Sequence, residues 1–168
     1  PEQRTRLTDE EVIARCPWAT TGRTHHRAPN IITSLELDPA EMEKRNIHLQ
    51  KKYAEIEENE VRFEELHCED AEYLIVAFGS CARIAQKAME MAREEGIKVG
   101  LLRPITLWPF PSKAIAARAA QVKGILTVEL NAGQMVEDVR LAVECKVPVE
   151  HFGRLGGIVP DPDEVITA

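Results

Sequence analysis

The chain has 168 residues, 44% of them hydrophobic and only 5% aromatic, which fits one domain of ordinary size or one small domain with an appendage. Lys and Arg number 21 against 28 Asp and Glu, a net charge of −7 that argues against a phosphate-backbone binder, whose affinity needs clustered positive charge. No apolar run is long enough to cross a bilayer and the N-terminus is charged rather than signal-like. Cys16, Cys68, Cys81 and Cys145 form no CxxC pair, so they read as reduced thiols of a cytoplasmic protein, not as a disulfide framework or an iron–sulfur site.

Residues 1–37 read as an arm or linker from an upstream domain, and opening on Pro1 without Met suggests a piece of something larger. Arg4, Arg6, Arg15, Arg23 and Arg27 are mixed with Pro17, Pro29 and repeated Thr, without sustained periodicity. Such a segment is expected to be weakly structured and extended, and to pack, if at all, through Trp18, Ile31 and Ile32 onto another surface. The adjacent His25 and His26 read as a solvated pair; His48, His67 and His151 lack metal-ligand spacing.

Residues 38–66 form a linker helix region. Asp38 is a good N-cap, Pro39 suits the first helical position and Glu41 the first turn. The helix is predicted from Pro39 to about Glu58. Met42, Leu49, Tyr53 and Ile56 lie on one face, opposite Glu43, Lys44, Arg45, Lys51 and Lys52. Residues 61–66 fit either a further helical turn or an edge strand.

Residues 67–168 carry the firmest pattern. Strands are predicted near 73–78, 97–102, 125–130 and 147–152, separated by helices, which specifies βαβ units and a parallel sheet with 73–78 at its centre. The first helix, capped by Ser80, carries Ile84, Ala88, Met91 and Ala92 at helical spacing and stops at Gly96. The second begins at Pro111 or Ser112 and ends at Gly124; the third runs from about Gln134 to Glu144; a last one opens at Asp161-Pro162. The fold class is therefore α/β: a mostly parallel twisted sheet with helices on both faces, preceded by an extended arm and a long amphipathic helix.

In such sheets ligands and partners dock at the strand C-terminal ends. Gly79-Ser80-Cys81 reads as a tight turn with a serine cap rather than a phosphate site, and Cys81 as a small packed thiol. The stiff segment from Arg103 to Pro111 presents Trp108 and Phe110, as an interface anchor or as a cover for one end of the core. Glu129, Asn131 and Gln134 place polar groups on the next loop. They contact a ligand or neighbouring subunit, or else Asn131 caps the helix while Glu137 and Asp138 favour its dipole, a reading that leaves Glu129 and Gln134 unexplained. Arg154, before Gly156-Gly157, is a charged contact or merely solvated. The interface candidates are thus Arg103, Trp108, Phe110, Glu129, Asn131, Gln134 and Arg154. No catalytic, cofactor-binding or metal-ligating residue is assigned.

The strings "AEYLIVAFGS", "GIKVGLLRPITLWPFP", "KGILTVELNAGQMVEDVRLAV" and "HFGRLGG", with a weaker match in "NIITSLELDPAEMEKRN", resemble the C-terminal part of the alpha subunit of 2-oxoacid:ferredoxin oxidoreductases. The resemblance is strongest to the 2-ketoisovalerate (3-methyl-2-oxobutanoate) type and next to the 2-oxoglutarate type. Thr21-Gly22-Arg23-Thr24-His25-His26 departs from the "TGLEH" string of the latter, which favours the branched-chain type. The resemblance implies a transketolase C-terminal-like domain. It also implies an intact enzyme that converts a 2-oxoacid, CoA and oxidised ferredoxin into an acyl-CoA, CO2 and reduced ferredoxin. Thiamine diphosphate, Mg and iron–sulfur clusters serve that enzyme, and none is expected in this fragment, whose partners would be beta-, gamma- and delta-type subunits, with self-association also open. Ferredoxin and CoA would act at the level of the complex, without nucleic acid or membrane. The fragment alone is expected to be inactive. Rival readings are the equivalent domain of a thiamine-dependent dehydrogenase beta subunit or transketolase, and, from another class, an anion- or nucleotide-binding module using Gly79-Ser80.

Overall fold

A strand with apolar residues at every position needs a layer on each side, and Tyr73–Ala77 (β2) meets that demand. Ile75 and Ala77 point to one layer, Leu74 and Val76 to the other, as the two-residue period of a strand requires. On the first face lie α3 (Gly79–Glu94) and α6 (Pro162–Thr167); on the second lie α4 (Ser112–Ala119) and α5 (Met135–Val143). The computed structural model describes residues 6–16, 18 and 31–168, and the chain divides into two units, residues 1–48 and 49–168.

Among the described residues the sheet has five strands in the order β1-β3-β2-β4-β5, with β1 at Phe63–Leu66, β3 at Val99–Pro104, β4 at Gly124–Glu129 and β5 at Val149–Gly153. The pairs β2–β3, β2–β4 and β4–β5 are parallel, so the four strands read from the sequence share one parallel sheet with β2 at its centre. Residues 63–66, open between helix and strand in the sequence, form an edge strand antiparallel to β3. β3 and β5 start two residues later than the hydrophobic runs suggest. Ile97 remains 41% exposed in the turn, and the Lys98 carbonyl accepts from the amides of Glu72 and Tyr73, fixing the entry to β2.

The face that α3 buries is rotated from the one read in the sequence. Cys81, Ala82, Ala85, Ala88, Met89 and Ala92 are buried, while Ile84 and Met91 sit at the margin. Small side chains bring the helix close to the sheet, and Met89 fills the remaining volume. The helix opens at Gly79 with Phe78 at the cap position and no side-chain cap bond, so Ser80 does not cap it. α4 ends at Ala119, short of Gly124, which instead opens β4.

The turn between β1 and β2 is pinned from both layers. From α3, Arg93 donates through Nε to the Val99 carbonyl at 2.7 Å, and through Nη2 to the His67 carbonyl at 2.9 Å and Asp70 at 2.6 Å. From α4, Arg118 makes a two-pronged pair with Glu65, at 2.9 and 2.7 Å. Gly100 permits the close packing. A Cβ there would lie 2.9 Å from Ala71 Cβ, 3.0 Å from the His67 carbonyl oxygen and 3.1 Å from Cys68 Cα.

The N-terminal segment is more ordered locally than its composition suggests. Asp9–Arg15 forms α1, held by a reciprocal cap between Thr8 and Glu11: the Glu11 amide donates to Thr8 Oγ1 and the Thr8 amide to Glu11 Oε2. The Thr-x-x-Glu spacing was the signal that a search for apolar periodicity missed. None of the described residues among 1–37 lies in a strand, and Trp18, Ile31 and Ile32 are exposed. The readings placed on Arg4, Pro17, Arg23, Arg27, Pro29, the His25–His26 pair and Thr21 to His26 lie outside the described residues. Asp38 caps α2 (Pro39–Asn59) as expected, its carboxylate accepting from the Ala40 amide at 2.8 Å. No residue of α2 is buried, so Met42, Leu49, Tyr53 and Ile56 form a stripe that is only partly covered.

Candidate functional site at the strand C-terminal ends

β4 carries Ile125, Thr127 and Glu129 on the α5 side of the sheet, and β5 pairs Thr127 with His151 and Glu129 with Gly153. The row therefore changes from apolar at the strand starts to polar at the ends. Glu129 is 1% exposed, a depth at which a carboxylate needs several donors. Its Oε2 accepts from Asn131 Nδ2 at 3.1 Å, the Gln134 amide at 3.3 Å and the Met135 amide at 2.9 Å; its Oε1 accepts from the Val136 amide at 3.0 Å. These amides form the first turn of α5, where the positive end of the helix dipole favours an anion. Glu129 thus caps α5 from within the protein.

This settles what the loop residues do locally. Asn131 is not the helix cap. Its Oδ1 accepts from the Gly133 amide at 2.7 Å, closing a turn, and its amide supports Glu129. Gln134 stands at the cap position without a side-chain cap bond, is exposed, and contributes its backbone amide. The capping carboxylate precedes its helix by six residues, a spacing that capping rules based on near neighbours do not reach.

His151 joins the same cluster, and the sequence reading passed over it because it sought metal spacing. Its Nδ1 lies 3.4 Å from Glu129 Oε1 and 3.3 Å from Thr127 Oγ1, with the side chain 21% exposed. Thr127 is fully buried and donates its hydroxyl to the Glu150 carbonyl at 3.1 Å. The ring lies beside two glycines: a Cβ on Gly153 would fall 2.7 Å from His151 Nε2 and 2.2 Å from the Asn131 carbonyl oxygen. Cys81 is buried near this carboxylate; burial first, and the Glu129 charge second, push its thiol pKa up, which suits packing rather than nucleophilic chemistry.

The other candidates are distributed around the same end of the sheet. Arg103 pairs with Glu64 across β1–β3 at 2.8 Å. Trp108 is 54% exposed and meets the Tyr53 ring edge-on at 5.7 Å between centroids. Phe110 is partly buried against the α4–α5 layer. A groove of about 820 Å3 runs past Trp108, Phe110, Phe63 and Glu57. Arg154 donates its backbone amide to the Glu129 carbonyl at 3.3 Å, and its Nη2 reaches Glu164 of α6 at 3.3 Å. Its Nε is buried without a partner among the described residues. Beside these, Leu130, Leu155, Ile158 and Val159 are 43%, 58%, 54% and 60% exposed, giving the strand ends an apolar rim.

The donor set at this end does not fit a diphosphate or a metal. The first turn of α5 is occupied by a carboxylate of the chain itself. Among the described residues no group of three or more His, Cys, Asp or Glu is placed to hold a metal ion. Among the described residues, too, no helix is long and apolar enough to cross a membrane.

The family model for the pyruvate:ferredoxin oxidoreductase core domain II matches residues 71–165, the stretch that contains β2 to β5 and the Glu129 cluster. The chain belongs to this family. It is 48% identical over 151 residues to the ketoisovalerate oxidoreductase subunit VorB of Methanothermobacter thermautotrophicus, a match that covers 88% of this chain and 42% of that protein. The chain therefore spans about two-fifths of the length of this curated relative. Among solved structures it resembles the 2-oxoglutarate:ferredoxin oxidoreductase from Magnetococcus marinus with 2-oxoglutarate, coenzyme A and succinyl-CoA bound. The TM-score is 0.68 at 24% identity, over 79% of this chain and 23% of that one. It also resembles a split-gene transketolase, an inactive beta4 tetramer, with a TM-score of 0.54 at 20% identity, over 63% of this chain and 39% of that one. These two likenesses concern the fold: the expected mostly parallel, transketolase C-terminal-like architecture is the one observed.

Proposed function

We propose that the chain is a subunit-contact domain of a thiamine-diphosphate-dependent 2-oxoacid:ferredoxin oxidoreductase of the ketoisovalerate type. The intact cytoplasmic enzyme would convert 3-methyl-2-oxobutanoate, CoA and oxidised ferredoxin into the acyl-CoA, CO2 and reduced ferredoxin. The cofactors would be held by other domains or subunits, consistent with a strand-end loop whose buried carboxylate is consumed in capping α5. Residues 1–37 would be the arm that joins an upstream domain, 38–66 the linker region and 67–168 the contact domain. The observation that carries the contact role is the rim at the strand ends, where Trp108, Leu130, Leu155, Ile158 and Val159 stay exposed around loops fixed by their own hydrogen bonds. The 48% identity to a ketoisovalerate oxidoreductase subunit supports the substrate type.

In this reading Arg103, Phe110, Asn131, Gln134 and Arg154 shape the contact face and Trp108 anchors it, while Glu129 acts through the loop it holds. The experiment is reconstitution of the complex with Trp108→Ala. Subunit association should weaken on size-exclusion while turnover per assembled complex is kept. Unchanged association, or a loss of turnover in fully assembled complex, refutes the contact role. Preference of the assembled enzyme for 2-oxoglutarate over 3-methyl-2-oxobutanoate would refute the substrate type. The purified chain alone should show no 2-oxoacid oxidation with thiamine diphosphate, CoA and an electron acceptor.

A further inference from the structure

Two helix ends border the groove of Trp108, and each carries charge that its own dipole disfavours. The last turn of α2 holds Glu57 and Glu58 with no basic residue, although a helix C-terminus is the negative end of the macrodipole. The first turn of α4 holds Lys113 with no acidic residue and no side-chain cap bond, although an N-terminus is the positive end. Glu57, Glu58 and Lys113 are exposed, and among the described residues none of them forms an ion pair. Their neighbours do: Glu60 pairs with Arg62 at 3.0 Å and Glu64 with Arg103 at 2.8 Å. The rest of the lining is largely apolar, with Val61, Phe63, Trp108 and Phe110. Phe63 and Trp108 stay exposed, while the Tyr53 ring holds the indole from one side.

We infer that this groove is a two-fold contact between two copies of the chain, in which Lys113 of each copy meets Glu57 and Glu58 of the other and the contact buries Trp108 and Phe63. This rests on the contact role proposed above and names the partner at its Trp108 end. A two-fold contact brings one patch against itself, so the patch must carry both members of every charge pair. This one does, with acid on the α2 border and base on the α4 border of a single, largely apolar groove. A partner of one sign would neutralise one helix end and oppose the other. In the pair, each lysine sits where the α2 C-terminus favours a cation, and each glutamate where the α4 N-terminus favours an anion. Charges that weaken the single chain thus become favourable across the contact.

Sedimentation of the purified chain over a concentration series should show a monomer–dimer equilibrium that Trp108→Ala weakens. Lys113→Glu should weaken it about tenfold, because in a two-fold contact one substitution reverses two meetings. Glu57→Lys combined with Glu58→Lys should do the same. Mixing the Lys113→Glu chain with the Glu57→Lys, Glu58→Lys chain should then give a heterodimer, which also shows that both variants are folded. A chain that stays monomeric, a dimer indifferent to these reversals, or a mixture that does not associate overturns the proposal. In the reconstituted complex, light scattering should count two copies of the chain per particle, and Lys113→Glu should lower that mass. If Trp108→Ala weakens assembly while the purified chain stays monomeric and Lys113→Glu leaves the particle mass unchanged, the proposal fails and the contact role stands. If Trp108→Ala alters neither assembly nor the dimer, both fail.

Discussion

Replacing Glu129 by alanine removes the acceptor for the amides of Gln134, Met135 and Val136 at 3.3, 2.9 and 3.0 Å, together with the anion at the positive end of α5. Met135 and Val136 are buried, so water reaches their amides poorly once the carboxylate is gone. A buried donor left unpaired costs about 1–3 kcal/mol, and loss of a charge in a favourable partly buried position at a helix end about 1–2 kcal/mol more. Gln134 is exposed and re-solvates cheaply. With two such donors the expected loss is therefore about 3–8 kcal/mol, a large fraction of the ~5–15 kcal/mol that holds a domain together. Glu129→Gln keeps the shape but loses charge assistance and turns an NH2 toward donors, so about 1–3 kcal/mol is expected. Urea unfolding with unchanged slope measures both, and amide hydrogen exchange at Met135 and Val136 localises the effect to α5. A loss below about 1 kcal/mol for the alanine variant would refute the account of Glu129 as the internal cap.

The remaining predictions concern how the sheet edge and the thiols are held. Truncating Arg118 should cost about 1–3 kcal/mol in the same unfolding assay, because it breaks a two-pronged, largely buried pair with Glu65 and frees the β1–β2 turn. The Arg118 guanidinium holds the Glu65 carboxyl below its ordinary value of 4.5, so the unfolded chain binds that proton more readily than the folded one. The pair's contribution should be complete above about pH 4.5 and fade as pH falls through the lowered folded value; Arg118→Ala should flatten that acid limb in a pH series of unfolding midpoints. Gly100→Ala should cost about 1–3 kcal/mol, since its Cβ would meet the packed 67–71 turn at 2.9–3.1 Å; wild-type stability would refute that close packing. In timed alkylation read by mass spectrometry, exposed Cys145 should react well before Cys68. Burial pushes the Cys68 thiol up to about 11, and its sulfur donates to the Leu101 carbonyl at 3.4 Å; early labelling of Cys68 would contradict its burial.

The parallel core was legible in the sequence because its signal is local. The unbroken run from Tyr73 to Ala77 must be covered on both faces, helices of the right length intervene, and Asp38 opens α2 where a cap and a first-turn proline say it should. Tertiary structure alone decided that residues 63–66 pair antiparallel as an edge, since a four-residue segment of mixed pattern takes its state from the neighbour it meets. It also decided the site. Sequence could place Glu129, Asn131 and Gln134 on one loop, but not tell an exposed contact from a buried cap, because the helix turn that Glu129 satisfies lies five to seven residues on. It could not associate His151 with that loop at all. Glu129 and His151 are 22 positions apart in sequence and become neighbours only through the β4–β5 register, which sets Thr127 against His151 and brings Nδ1 to 3.3 Å from Thr127 Oγ1 and 3.4 Å from Glu129 Oε1. Local chemistry specifies elements within reach of a few bonds; strand pairing specifies which polar groups meet, and in this protein that meeting seats His151 beside the carboxylate that caps α5.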